Sequence, residues 1–254
     1  MKLSVIIPVY NEESTIRDVL TKVRAVTLDK EIIIVDDGST DRTAEILKDE
    51  QQKDDITIVY NSLINIGKGA AVRIGIEQIT GELAIIQDAD LELDPNEYVK
   101  LIQPILAGEA DVVYGSRFKE HWQGAFKQIV ANTVLTWLTN LLYRTRLTDM
   151  ETAYKVFRTE VLKSVKLRCI GFEFEPEITA KISRLGYHIV EIPIAYHPRT
   201  TEQGKKIRWW DGVLAIYYLV KYRCQPIDAL TRKATSHAWR PGASESRGDS
   251  DCKK

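Results

Sequence analysis

The sequence predicts an α/β protein built on a doubly wound, mostly parallel sheet with helices on its flanks. Two observations carry that prediction. Short apolar runs alternate with segments of helical periodicity through the first half of the chain. Several of those runs also stop abruptly at acidic residues, and in open α/β sheets ligands bind beyond the carboxyl ends of the strands.

Residues 3–10 read as a buried first strand, closed by Asn11-Glu12-Glu13. A helix over about 14–26 follows, with Ser14 as its N-cap and Ile16, Val19, Leu20 and Val23 at helical spacing. The run at 31–35 is a second strand, ending in Asp36-Asp37 and a Gly38-Ser39 turn. Thr40 or Asp41 starts a helix reaching about Gln52, and residues 56–60 form a third strand. Asn65-Ile66-Gly67-Lys68-Gly69 is a glycine-bearing loop that enters a helix ending near Ile79. A fourth strand covers 83–87. Residues 95–106 then read as a helix, 111–117 as a strand and 126–142 as a helix. The last of these carries Val130, Val134, Trp137, Leu138, Leu141 and Leu142 along one stripe. The polar loop 148–155 leads to a strand at 156–158. Glu175-Pro176-Glu177 opens a helix that Gly186 caps, and 189–194 make a final strand. Residues 1–230 are expected to form one domain, and 231–254 have the composition of a disordered tail.

Composition excludes several function classes. Hydrophobic residues make up 44% and charged residues 28% of the 254, with a formal net charge of −1. No overall field attracts nucleic acid. The three cysteines, Cys169, Cys224 and Cys252, show neither zinc spacing nor a disulfide framework, which suits a cytoplasmic setting. No signal-peptide pattern opens the chain, and the apolar stretch 213–220 is far shorter than the roughly 20 residues of a membrane span.

Asp88-Ala89-Asp90 is the stretch around which the chemistry gathers. On a strand, alternation places Asp88 and Asp90 on one side, with Glu92 continuing the row. Three such carboxylates repel one another unless a cation lies between them. Mg²⁺ or Mn²⁺, hard ions that share their shell with substrate phosphates, fit that requirement. The competing explanation is a polar strand end opening into a loop, with Asp94-Pro95 as the turn. Gly67-Lys68 is no nucleoside-triphosphatase loop: Ser62 stands where the first glycine belongs and Gly69 where Ser or Thr belongs. Lys68 is therefore either a ligand contact or part of a tight turn into a helix.

Five motifs now stand in order: Val5-Ile6-Ile7-Pro8-Val9-Tyr10-Asn11-Glu12, Val35-Asp36-Asp37-Gly38-Ser39-Thr40-Asp41, Asn65-Ile66-Gly67-Lys68-Gly69-Ala70, Gln87-Asp88-Ala89-Asp90 and Gly115-Ser116-Arg117. Together they resemble a family-2 glycosyltransferase of the GT-A fold, most of all the dolichyl- or polyprenyl-phosphate mannose and glucose synthases, over about residues 3–225. The resemblance implies a donor half at about 1–118 and an acceptor half at about 119–230. It gives Pro8, Tyr10, Glu12 and Asp37 to the nucleotide. Asp88, with its neighbour Ala89, falls to the nucleotide sugar, and Asp90 and Glu92 to a Mg²⁺ or Mn²⁺ on the diphosphate, with Asp88 a further candidate ligand. Many relatives carry Gln where Glu92 stands. Arg199 and Lys205 resemble a loop that clamps the diphosphate. Arg117 resembles a contact to the lipid-phosphate acceptor, after which relatives often have an arginine-rich segment where this chain offers Lys119 and Lys127. Ala153 replaces a usual glycine, which leaves Asp149 open between a catalytic part and a turn or N-cap.

The implied activity is metal-dependent, inverting transfer of a hexose from GDP-mannose or UDP-glucose to a polyprenyl phosphate. Asp90, Arg199, Lys205 and Arg117 would be its catalytic residues. Trp209-Trp210 with Lys205, Lys206 and Arg208, ahead of the apolar positions 213–219, fits either core packing or a C-terminal amphipathic helix at the inner membrane face. Three alternatives stand: a transferase for soluble or polysaccharide acceptors with the same donor half, a non-catalytic sugar-nucleotide binder, and a nucleotidyltransferase, which shares the sheet and metal and would release pyrophosphate.

Overall fold

The protein is described here by a computed structural model covering residues 1–119, 126–198 and 209–232. Side chains of 126–128 and 209 are outside that description. Arg199, Lys205 and the tail from 233 also lie outside the described residues.

One seven-stranded sheet organises the described chain: β1 (Leu3–Val9), β2 (Lys30–Asp36), β3 (Thr57–Asn61), β4 (Leu83–Ile86), β5 (Val112–Ser116), β6 (Lys155–Arg158) and β7 (Ile189–Pro193). Its spatial order is β3-β2-β1-β4-β6-β5-β7. The β1–β2, β2–β3, β1–β4 and β5–β7 pairs are parallel, whereas β6 runs antiparallel to both β4 and β5. The sheet is therefore mostly parallel, as expected, with β6 as its antiparallel strand. Pro8 sits two residues past the last β1–β4 register pair, Ile6 with Ile86, so its missing N–H breaks no bond of that ladder.

Eight α-helices are described: α1 (Ile16–Ala25), α2 (Thr43–Gln51), α3 (Lys68–Gln78), α4 (Tyr98–Leu106), α5 (Phe126–Tyr143), α6 (Thr159–Ser164), α7 (Phe174–Leu185) and α8 (Trp209–Cys224). Strand alternation divides the core between the two faces. Val5, Ile7, Ile32 and Ile34 pack with α1, α2 and α4, while Ile6, Ile33 and Val35 pack with α3 and α5–α8. Full burial of both faces explains why these strands read as continuous apolar runs.

Glu31 joins three elements at the amino end of the sheet. It accepts from the Ser4 hydroxyl at 2.5 Å and from Thr80 N and Oγ1 at 2.7 and 2.5 Å, and pairs with Lys2 at 2.6 Å. Burial alone would push this carboxyl up, but the bonds from Lys2, Ser4 and Thr80 outweigh it and hold the group at about 2, against an ordinary 4.5. The stabilisation is complete above pH 4.5 and is lost as pH falls towards 2. Glu31→Gln should cost about 1–2 kcal/mol at neutral pH and flatten the acid limb of a denaturation-against-pH curve.

Several boundaries differ from the sequence expectation. The first helix starts at Ile16 behind Thr15, whose side chain makes no capping bond, so Ser14 is not its N-cap. The second starts at Thr43 behind Arg42 rather than at Thr40 or Asp41. Residues 95–97 form a 3-10 turn before α4, with Asp94 Oδ1 accepting from Asn96 N at 3.1 Å, which bears out Asp94-Pro95 as a turn. β4 ends at Ile86, so Asp88, Asp90 and Glu92 follow the strand as a turn and alternation does not align them.

On α5 the apolar stripe faces outward. Its inward positions include Asn132, Thr136 and Thr139, which are buried, while Val130, Val134, Trp137 and Leu141 face outward, Trp137 63% and Leu141 62% exposed. The helix is apolar on the outside. On α8, Ala215, Leu219 and Tyr222 enter the core, and Trp210, Val213, Leu214, Ile216, Tyr217 and Val220 are exposed. No helix among the described residues is long and apolar enough to cross a membrane.

Candidate active site

The topology gathers the predicted residues on one edge. Strands β1, β2, β4, β5 and β7 share a direction, so their carboxyl ends coincide. β6 runs the other way, so the loop that precedes it, residues 148–154, arrives at that same edge. The order reverses between β1 and β4, which is where a doubly wound sheet opens a crevice.

The loops of that crevice are stitched together. Thr15 Oγ1 lies within hydrogen-bond reach of both the Ala89 carbonyl, at 2.8 Å, and Glu12 Oε2, at 2.9 Å. Asn11, at φ 54°, takes Thr40 N on its Oδ1 at 2.8 Å, and Glu12 N donates to Thr43 Oγ1 at 2.9 Å. Tyr10 and Glu12 therefore project from a loop fixed against the β2–α2 and β4–α4 connections.

Asp37 is buried, and its two oxygens accept from Ile66 N at 2.9 Å and Gly67 N at 2.7 Å. In this arrangement it shapes the loop before α3. Two glycines make that loop possible. Gly38 has φ +71° and a Cβ there would lie 2.5 Å from Ile64 C; Gly67 has φ +125° and its Cβ would lie 2.5 Å from Ile170 O. The close approach at Gly67 lets Gly69 N and Ala70 N donate to Gly171 O and Ile170 O at 3.0 and 2.9 Å, which caps α3 with backbone from the loop before α7.

Lys68 turns out to be a bridge. Its Nζ lies 2.9 Å from Asp88 Oδ1 and 3.0 Å from Glu175 Oε1, the latter at the start of α7. Burial works against the ammonium, but the two carboxylates outweigh it and raise its pKa well above the usual lysine range. Asp88 is thus paired with a cation from its own chain.

The turn after β4 rests on a buried amide. Gln87 Oε1 accepts from the hydroxyls of Tyr98 at 2.7 Å and Tyr154 at 2.6 Å, and its Nε2 donates to Asp88 O at 2.9 Å. Leu91 takes φ 61°, and Glu92 N donates to Asp90 Oδ1 at 3.1 Å. Glu92 Oε2 accepts from Tyr196 Oη at 2.9 Å. Among the described residues no three Asp, Glu, His or Cys side chains form a closed metal cage. Asp90 and Glu92, two carboxylates on one turn, still match an ion that takes its remaining oxygens from substrate phosphates and water. The Lys68 pairing sets Asp88 apart from these two.

Just past β5, Arg117 is held like a fork. Its Nε and Nη2 reach Asp149 Oδ2 and Oδ1 at 2.7 and 2.8 Å, and its backbone N reaches Oδ2 at 3.0 Å. Asn132 Nδ2 adds 2.9 Å to Oδ1. Asp149 is fully buried, and the Arg117 side chain keeps 17% exposure. Burial opposes both charges. The pair nevertheless keeps both, with the arginine raised and the aspartate lowered. Asp149 is thus neither N-cap nor simple turn former; it anchors Arg117. Glu191 on β7 shapes the same loop by accepting from Thr148 N and Asp149 N at 2.8 and 2.9 Å.

Three further residues, none assigned a role from the sequence, lie close by. Glu151 Oε1 is buried without a partner, and burial and Glu175 push its carboxyl upward. Lys155 is buried, donating to Met150 O at 3.1 Å with its ammonium 4.7 Å from the Tyr114 ring centre. Tyr196 is the third.

With this geometry in place, comparison with known proteins decides the family. The model for glycosyl transferase family 2 matches residues 4–165. The chain belongs to glycosyl transferase family 2. Within that family it is 31% identical over 207 residues to a low-salt glycan biosynthesis hexosyltransferase of Haloferax volcanii, covering 79% of this chain and 49% of that one. It is 30% identical over 245 residues to a dolichol-phosphate mannosyltransferase of Pyrococcus furiosus, covering 91% of this chain and 67% of the relative. A dodecaprenyl-phosphate galacturonate synthase of Rhizobium johnstonii is 26% identical over 89% of this chain and 69% of its own. The chain thus spans half to two thirds of these relatives' lengths. Among solved structures, glucosyl-3-phosphoglycerate synthase of Mycobacterium tuberculosis, crystallised with Mn²⁺, UDP and phosphoglyceric acid, aligns with a TM-score of 0.68. That alignment covers 89% of this chain and 79% of the other at 21% identity, and it shows the shared fold.

The family-2 sheet brings Pro8, Tyr10, Glu12, Asp37, Lys68, Asp88, Ala89, Asp90, Glu92 and Arg117 to one edge.

Proposed function

We propose that this chain transfers a hexose, with inversion, from GDP-mannose or UDP-glucose to a polyprenyl phosphate. The observation that carries the reading is the crevice edge, which joins the Asp90–Glu92 turn on one side to Arg117 on the other. The Pyrococcus and Rhizobium relatives, whose names specify lipid-phosphate acceptors, support it.

In this reading residues 1–118 bind the donor and 119–230 the acceptor. Pro8, Tyr10 and Glu12 face the nucleotide, and Asp37 acts by holding the amides of Ile66 and Gly67. Asp88, fixed by Lys68, orients the sugar with Ala89. Asp90 and Glu92 would hold a Mg²⁺ or Mn²⁺, which would supply positive charge to offset that of a departing diphosphate. Arg199 and Lys205 add cationic donors to the same phosphates. Arg117, locked in orientation by Asp149, aligns the acceptor phosphate. That phosphate is anionic at neutral pH, so alignment replaces a strong general base.

The test is an acceptor screen with polyprenyl phosphate and soluble sugars side by side. The reading predicts nucleoside diphosphate release that depends on the lipid phosphate. Release of pyrophosphate, or transfer only to soluble sugars, would overturn it.

The outward apolar faces of α5 and α8 suit the headgroup region of a bilayer. Lys221 and Arg223 lie in the last turn of α8. Trp137→Glu with Leu141→Glu should at least halve co-sedimentation with anionic liposomes while leaving the melting temperature nearly unchanged. Undiminished co-sedimentation would contradict this assignment.

A further inference from the structure

We infer that Tyr196 is a positioning residue that couples the cation-binding carboxylate Glu92 to the acceptor-side Arg117. The inference rests on the proposed function of that edge and deepens it. Three contacts of one buried side chain and its backbone carry it. The hydroxyl donates to Glu92 Oε2 at 2.9 Å. The ring lies beneath the Arg117 guanidinium, whose carbon is 5.2 Å from the ring centre. The backbone pairs antiparallel with Leu93, and His197 N donates to the Glu92 carbonyl at 2.9 Å.

These contacts set Tyr196 against both Glu92 and Arg117. Glu92 sits on a turn after β4, which by itself leaves a long side chain many rotamers. A charge-assisted bond from a buried phenol removes that freedom. Arg117 is fixed on its edge by Asp149 and on its faces by Phe118, 5.4 Å away, and Tyr196. A shift of the Glu92 carboxylate therefore moves the ring under Arg117. Outer-shell partners of this kind orient ligating carboxylates, and their loss usually weakens metal binding about 10- to 100-fold.

Two variants separate the hydroxyl from the ring. Tyr196→Phe keeps the face beneath Arg117 and removes the bond to Glu92. Tyr196→Leu removes both. The readouts are calorimetric affinity for Mn²⁺ with UDP or GDP, the KM for polyprenyl phosphate, and the melting temperature. Tyr196→Phe should weaken Mn²⁺-dependent nucleotide binding about tenfold and leave the acceptor KM within about twofold. Tyr196→Leu should impair both. If wild type binds nucleotide with Mn²⁺ and Tyr196→Phe matches it, the inference is wrong while the function stands. If wild type shows no Mn²⁺-dependent binding, the proposed function itself fails. A purely structural tyrosine would lower the melting temperature in both variants without splitting the two affinities, and that pattern also overturns the inference.

Discussion

Asp90→Ala is expected to reduce turnover about a hundredfold or more and to erase the response to added Mn²⁺. The magnitude follows from the charge that develops on a departing diphosphate, where loss of one preorganised electrostatic partner commonly costs 10²–10³ in rate. The geometry gives Asp90 two tasks. Its Oδ1 accepts from Glu92 N at 3.1 Å and so closes the turn that carries the second carboxylate. Asp90→Asn keeps an acceptor for that bond and lowers the charge, so it separates the tasks: the turn persists and Mn²⁺ affinity falls. Initial rates across a Mn²⁺ titration read both variants. Full Mn²⁺-dependent activity in Asp90→Ala would remove Asp90 from the cation site.

Asp149→Ala should be the most destabilising single substitution at this edge, by about 3–5 kcal/mol, because it strands a buried guanidinium. Arg117 loses bonds of 2.7, 2.8 and 3.0 Å, and Asn132 loses one of 2.9 Å. Replacing the pair together, Arg117→Met with Asp149→Leu, should restore much of that loss, since neither charge is then left alone. Transfer should stay low in the double variant, because the acceptor-side cation is gone. Urea denaturation of the two variants measures the difference. A cost below about 1 kcal/mol for Asp149→Ala would mean that the ion pair contributes little and that Arg117 is positioned by other contacts.

The motifs at strand ends were legible because they depend on local order. An apolar run followed by Asp36-Asp37 or by Asp88-Ala89-Asp90 says where a strand stops, and parallel topology then brings the tips together. The direction of β6 was not legible. Val156-Phe157-Arg158 has the same pattern read either way, and only its pairing with β4 and β5 shows it antiparallel. The apolar stripe of α5 was visible, but a stripe does not say which way it faces. Asn132, Thr136 and Thr139 turn inward because Asp149 and backbone groups there need partners: Asn132 meets Asp149, Thr136 Oγ1 takes Met150 N at 3.1 Å, and Thr139 returns to Leu135 O at 2.8 Å. The partners of Asp88 and Asp149 stand far off in the chain, Lys68 for one and Arg117 for the other. No spacing rule reaches that distance. Tyr196 had no signal at all, being one aromatic among eleven tyrosines.

Anomalous diffraction from crystals grown with Mn²⁺ and UDP or GDP tests the central claim most directly. The account predicts a single strong peak about 2.1 Å from carboxylate oxygens of Asp90 and Glu92, in contact with the diphosphate. A diphosphate bound away from the β1–β4 crevice, or a Mn²⁺ peak touching neither carboxylate, would contradict it.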